Sequence, residues 1–488
     1  MNILALIVII VFAINILCVL AMIFIERKKP QIIVSWLVTM TFLPILGFIL
    51  YVLIGSGLSY KTKRMLKTKR LYQKEYNDAI KAQKHRLSNK NFKDENEKEL
   101  FPFLLFNLNN ASSAYYKYNN VRLFTNGEDK ITALKKDLLK AKHSINMLYY
   151  IFADDAVGNE ILNILTQKAK EGVKVKLLFD SVGSLKTKKH FFKPLVQAGG
   201  EIAEFFPPLF GIRLVNLKLN YRNHRKIVVI DGKIAYTGGI NIRDDHMGRS
   251  KKLRPWRDTH LRLTGQVVSG FQSAFFNDWR FCKKLGPNFS ELFEKGYFVE
   301  SKSSNKLGMQ IISSGPDDDD APIKEAFLKM ILSAKERIVI QSPYFIPDET
   351  LLSALNIARM SGVKIDIMIP GVPDKKIVYM ATLSYIKELL KCGEGINVYL
   401  YNGFLHSKMI MIDNSVVSIG TCNFDNRSFA LNFEINTFIY GKEFAEINNN
   451  IFNKDISNST KIDLSYFARK PWYSRLAQAF FRLFSPLL

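Results

Sequence analysis

The chain contains one long internal duplication. His224-Arg-Lys226-Ile-Val-Val-Ile-Asp231, followed by Gly238-Gly239-Ile-Asn241, returns as His406-Ser-Lys408-Met-Ile-Met-Ile-Asp413, followed by Gly420-Thr421-Cys-Asn423, with identical His, Lys, Asp, Gly and Asn offsets. Matching patterns precede both copies. In the first, a helix over 133–141 leads to a strand over 144–152. A helix to Lys170, the stop Gly172 and a strand over 173–179 follow. In the second, Ile323, Phe327, Met330, Ile331 and Ala334 mark one helix face, and a strand over 337–342 follows. A helix to Ser361, the stop Gly362 and a strand over 363–369 complete it. Such alternation predicts an α/β protein of two lobes, each with a mainly parallel sheet. The 488 residues exceed one ordinary core and suit two.

In a strand, residues two apart face the same way, so His224 and Lys226 share a face, as do His406 and Lys408. A histidine beside a lysine suits a phosphodiester. The ammonium holds a non-bridging oxygen while the imidazole attacks phosphorus or donates a proton. A single His-x-Lys is weak evidence; two copies with equal offsets are not. With Gly232-Lys233 and Asn414-Ser415 as the central turn pairs, His224 falls opposite Asn241 and His406 opposite Asn423. Lys226 then faces Gly239 and Lys408 faces Thr421, small residues that leave room for phosphate. An Asp-Gly turn in the first lobe would shift this register. Asp258 and Glu434 occupy equivalent strand positions and are expected to orient the imidazoles, with Glu434 assigned to His406. Asp231 and Asp413 belong to the catalytic motifs but start turns, and are expected to hold the hairpins.

Residues 2–25 are apolar except Asn2 and Asn15, long enough for a bilayer core of about 30 Å. A second apolar run covers 32–58 after a polar, mostly cationic break. A cleavable signal peptide fits poorly, since a basic start and a cleavage site are lacking. The six cations of Lys61–Arg70 place the remaining chain on the cytoplasmic side, and a monotopic hairpin stays open. The net charge of +25 calls for an anionic partner, nucleic acid or lipid. Cys18, Cys282, Cys392 and Cys422 have no ligand spacing. The run Asp317–Asp320 reads as an acidic helix N-terminus. No metal and no cofactor are expected.

At two His-x-Lys-x4-Asp motifs the chain resembles the phospholipase D superfamily. Further segments resemble bacterial cardiolipin synthases: Glu26–Pro30 with Trp36-Leu37, Tyr221–Lys226, Pro255–His260, Ser342–Pro347, Phe404–Lys408 and the tail from Trp472. The resemblance implies two lobes about a pseudo-twofold axis, with both His-Lys pairs in one pocket. It further implies transfer of a phosphatidyl group between two phosphatidylglycerol molecules, through a phosphohistidine and without metal, at the bacterial cell membrane. Phosphatidylglycerol and the membrane are the expected partners, and nucleic acid is not. His224 is expected to be the nucleophile, its pKa lowered by Arg225 and Arg222, and His406 the acid and base. Lys226, Lys408, Asn241 and Asn423 would hold the phosphoryl oxygens. A phospholipase D that hydrolyses lipid would carry the same residues. A superfamily nuclease would not need apolar spans, and a lipid-binding scaffold would not need both motifs.

The organisation expected is a transmembrane hairpin over 1–60, a basic polar linker over 61–100 whose part from about 71 reads as linker or exposed helix, lobes over 101–300 and 301–470, and an amphipathic C-terminal helix over 471–488. That last helix is expected to lie in a headgroup layer.

Overall fold

The computed structural model describes the chain except residues 1–2, 25–29, 52–54, 56–61, 64, 67–73, 94, 208–219, 286–296, 300–302, 319 and 486–488. The break at 25–29 and most of the basic stretch 61–70 lie outside the described residues.

Two sheets build the body. The first runs, in order across the sheet, Asn119–Phe124, His260–Gly265, Ile234–Gly238, Ile227–Ile230, Ser144–Tyr149, Lys174–Asp180 and Glu201–Phe205. The second runs Tyr115–Tyr116, Gly308–Ser314, Asn432–Tyr440, Val416–Gly420, Met409–Ile412, Arg337–Gln341, Lys364–Pro370, Ile396–Tyr401 and Ser459–Ile462. The duplication is visible in both, but neither sheet is mainly parallel. Within each lobe's main strand order, only the pairs joined by crossover helices are parallel; the strand after each His-x-Lys returns as a hairpin and pairs antiparallel.

The apolar strand faces explain the packing. Ile227, Leu261 and Leu148 of the first sheet and Met409, Ile419 and Ile435 of the second share one buried core, filled further by Phe271, Phe275 and Trp279 of the helix Val268–Lys283. The outer faces are covered by separate helix layers. Strands buried on both faces read as continuous apolar runs, which is why Ile-Val-Val-Ile and Met-Ile-Met-Ile do not alternate with polar residues.

Three boundaries differ from expectation. Helices at Lys74–Ser88 and Glu95–Ala111 bury Ile80, Leu87, Leu104 and Leu108 against the second lobe's core, so 74–116 belongs to that lobe. The helix Pro322–Ser333 starts from Ala321 without a side-chain cap, and Asp318 instead accepts from the Gly315 amide at 3.1 Å. Near the N-terminus, helices cover Ile3–Phe24, Pro30–Phe42 and Pro44–Leu50. Among the described residues no helix is long and apolar enough to cross a membrane. The side chains of residues 4, 5 and 8 are outside that set, and the second apolar run is divided at Leu43.

Candidate active site

The hairpin after each His-x-Lys turns through residues in the left-handed region: Asp231 (φ 51°) and Gly232 (φ 64°), and Asp413 (φ 47°) and Asn414 (φ 46°). Asp, Asn and Gly are the residues that tolerate this conformation. Ile230 therefore pairs with Ile234, and Ile412 with Val416. The expected register is shifted by one residue in both lobes, with Gly238 and Gly420 aligned with the lysines instead. Asp231 and Asp413 stand at the far end of these strands. Asp231 accepts from the amides of Lys142, His143 and Ser144 at 2.9, 2.7 and 2.9 Å; Asp413 accepts from Lys335, Glu336 and Arg337 at 2.8, 2.8 and 3.0 Å. They pin each hairpin to the loop before a neighbouring strand and do not enter the pocket.

The histidines are placed by pairing between lobes. Arg222-Asn223 runs parallel to Asn432-Phe433, and the His224 amide donates to the Phe433 carbonyl at 2.9 Å. Phe404-Leu405 runs parallel to Trp256-Arg257, and the His406 amide donates to the Arg257 carbonyl at 2.6 Å. The next residue of each partner strand is the acid, so the acids cross over. His224 Nδ1 lies 3.0 and 3.1 Å from the Glu434 carboxylate oxygens and 3.1 Å from the Thr421 carbonyl. His406 Nδ1 lies 2.6 Å from Asp258 Oδ2. The expected pairing of Glu434 with His406 is thus reversed. A carboxylate on Nδ1 favours the tautomer with a lone pair on Nε2.

Lys226 donates to the His224 carbonyl at 2.7 Å, and Lys408 to the His406 carbonyl at 2.5 Å. Both lysines are buried. Burial lowers their pKa values to about 7 and about 8 against the pull of Glu434 and Asp258. Burial first, then Lys226 and Lys408, lowers His224 to about 4 against the attraction of Glu434. Burial, both lysines and His224 hold His406 well below its ordinary value. Each imidazole therefore feels both ammoniums, and the two motifs form one site. Arg225 does not contribute as expected: it forms a buried pair with Asp278 at 2.7 Å.

The small residues serve the carboxylates. A Cβ on Gly239 would lie 2.0 Å from Asp258 Oδ1, so the space expected for phosphate holds the carboxylate instead. Thr421 hydrogen-bonds the Ile435 backbone through its amide and hydroxyl. Asn241 Oδ1 accepts from the Ile151 amide at 3.2 Å, and Asn423 Oδ1 is buried with no hydrogen-bond partner among the described residues.

Sequence reasoning missed two rings. Tyr150 stands edge-on to His224 with centroids 4.8 Å apart. His246 stands edge-on to His406 at 5.2 Å, with its Nδ1 3.9 Å from Asp258 Oδ2. Its equivalent in the second copy, five residues after the asparagine, is Ser428, so the duplication gave no signal. Among the described residues, His246, Asp258 and His406 bring ligand-type atoms within 4.8 Å of one another. The 2.6 Å from Asp258 to His406 is a hydrogen-bond distance, closer than two ligands each about 2.0 Å from one zinc would stand.

A family model described as cardiolipin synthase, PLD-like domain, matches residues 134–253 and 327–456, one match on each copy of the duplication. The chain is a member of the cardiolipin synthase, phospholipase D-like family. A second family model, phospholipase D-nuclease N-terminal, matches residues 13–56. The chain is 41% identical to the major cardiolipin synthase ClsA of Bacillus subtilis over 98% of both chains, and 39% identical to a cardiolipin synthase of Listeria innocua over the whole of both. Its fold is shared with a phosphatidylserine synthase from Haemophilus influenzae at a TM-score of 0.59 and 15% identity, covering 78% of this chain and 98% of that one.

Proposed function

We propose that the protein is a cardiolipin synthase, a phosphatidyltransferase that converts two phosphatidylglycerol molecules into cardiolipin and glycerol. The observation that carries this reading is the pair of buried imidazole–carboxylate couples, each completed by the other lobe, with both lysine charges acting on each imidazole. His224 Nε2 attacks the phosphorus of the first lipid, its Nδ1 proton held by Glu434. His406 protonates the departing glycerol oxygen, so a phosphohistidine forms as the P–O bond to glycerol breaks. The hydroxyl of the second lipid then gives its proton to His406, its oxygen attacks phosphorus, and His224 is released. Phosphate between Lys226 and Lys408 offsets the two charges that keep His406 neutral, which lets His406 protonate when substrate binds.

The site excludes much of the water that would make phosphatidic acid: His224 and His406 are both buried or nearly so. Membrane attachment through the apolar N-terminal segment, as a two-span hairpin with a cytoplasmic body, belongs to this reading and rests on its hydropathy, the cations after it and the family match at residues 13–56. Purified protein incubated with phosphatidylglycerol should yield cardiolipin and glycerol on thin-layer and mass analysis. Phosphatidic acid as the sole product would indicate a hydrolase, and no conversion would remove the reading.

A further inference from the structure

The helix Trp472–Arg482 is docked the wrong way round for a protein in water. Its small and polar residues face the body: Gln478 is 3% exposed, and Ser474, Ala477 and Ser485 are at least half-buried. Phe481 turns partly inward, but most of the helix's large apolar residues face out, with Trp472 69%, Leu476 62% and Phe480 54% exposed and Leu483, just past its end, 74%. These stand at i, i+4, i+8 and i+11, one continuous stripe. Packing on the body would have buried the stripe, since each such side chain contributes about 1.5–3 kcal/mol when removed from water. The polar face is nevertheless held in place. Arg482 pairs with Glu388 and lies over the Tyr385 ring at 4.4 Å, both on the helix Lys376–Lys391.

We infer that this outward stripe is a second membrane contact, seated in an anionic phospholipid bilayer and placing the catalytic pocket over its lipid substrate. Charge chooses the occupant. Arg469 and Arg475 on the tail, and Lys375 and Lys376 at the start of the supporting helix, are exposed beside the stripe and match anionic headgroups. A second copy docked there would set like charges against one another. Trp472 and Tyr473 open the helix, rings suited to the headgroup boundary.

Direction links the stripe to the chemistry. Tyr466 hydrogen-bonds Tyr379, while Arg482 meets Tyr385 and Glu388, so the tail runs the same way as its supporting helix. Its Trp472 end is thus the end nearer Lys375, whose ammonium lies 5.5 Å from the Tyr344 ring centre and whose charge reaches His406.

The test reconstitutes the full chain in phosphatidylglycerol vesicles with and without bromine on the acyl chains, as wild type and as Trp472→Phe. Bromine should quench wild-type tryptophan emission, with a clear loss of the quenchable part in Trp472→Phe. Equal quenching of the two proteins overturns the inference, as does a Trp472 signal that responds to protein concentration rather than lipid, which would place a second copy on the stripe. A companion variant, Leu476→Glu with Phe480→Glu, should lose roughly tenfold in turnover of vesicle lipid yet keep turnover of a short-chain, monomeric phosphatidylglycerol. Equal turnover of both substrates by variant and wild type also overturns it. The quenching readout does not depend on which reaction the pocket performs, so its failure is distinct from failure of the proposed activity.

Discussion

His224 and His406 sit in matched links, each just after a two-residue strand, yet each Nδ1 contacts an acid supplied by the opposite lobe. Exchange of the acids therefore gives separable defects. Glu434→Gln should slow formation of the covalent intermediate, while Asp258→Asn should slow glycerol departure and acceptor attack. Each should cost about 10²–10⁴-fold in turnover, resolved by rapid-quench measurement of the two steps. Gly239→Ala should reproduce the Asp258→Asn defect, because its Cβ would meet the carboxylate at 2.0 Å. His224 must be neutral, so kcat/KM rises with pH through about 4. The free enzyme must take up a proton at His406, held well below its ordinary value, so kcat/KM declines once His406 is neutral. Lys226 and Lys408 must be charged, so a second, steeper fall follows as pH rises through about 7 to 8. Lys226→Arg and Lys408→Arg, whose guanidinium stays charged, should move that fall to higher pH even at a lower rate. Turnover should persist in excess EDTA, with loss restored by one divalent ion as the contrary result, because Asp258 stands at hydrogen-bond distance from His406.

At the scale of elements, the repeated βαβ units and the apolar strand after each His-x-Lys were legible, since apolar periodicity and glycine stops are local signals; the His-x-Lys residues themselves, read as strand, lie just before it. The register was legible only to within one residue. It turns on which dipeptide takes positive φ, and Asp231-Gly232 rather than Gly232-Lys233 does so. Asp231 and Asp413 serve these turns, each gathering three backbone amides. Asp231→Asn or Asp413→Asn should therefore lower stability by about 1–3 kcal/mol in denaturant unfolding and leave the intermediate able to form in the folded fraction. The contrary result would be unchanged stability with lost chemistry. That the helices at Lys74–Ser88 and Glu95–Ala111 are packed rather than exposed was hidden by their polar composition, which conceals a narrow apolar face that only the second lobe reveals.

At the scale of the molecule, the parallel pairs Arg222-Asn223 with Asn432-Phe433 and Phe404-Leu405 with Trp256-Arg257 are each only two residues long. Nothing local announces such short strands, yet they decide which acid serves which histidine. The duplication alone matched Glu434 with His406 of its own lobe; the fold gives Glu434 to His224 and Asp258 to His406, so neither half is complete. Covalent transfer begun by His224 and completed by His406 is tested by rapid acid-free quenching of wild-type protein with phosphatidylglycerol, followed by peptide mapping by mass spectrometry. A phosphatidyl group is expected on the peptide carrying His224. The group on His406 would reverse the roles, and its absence from both histidines under turnover would contradict the covalent mechanism.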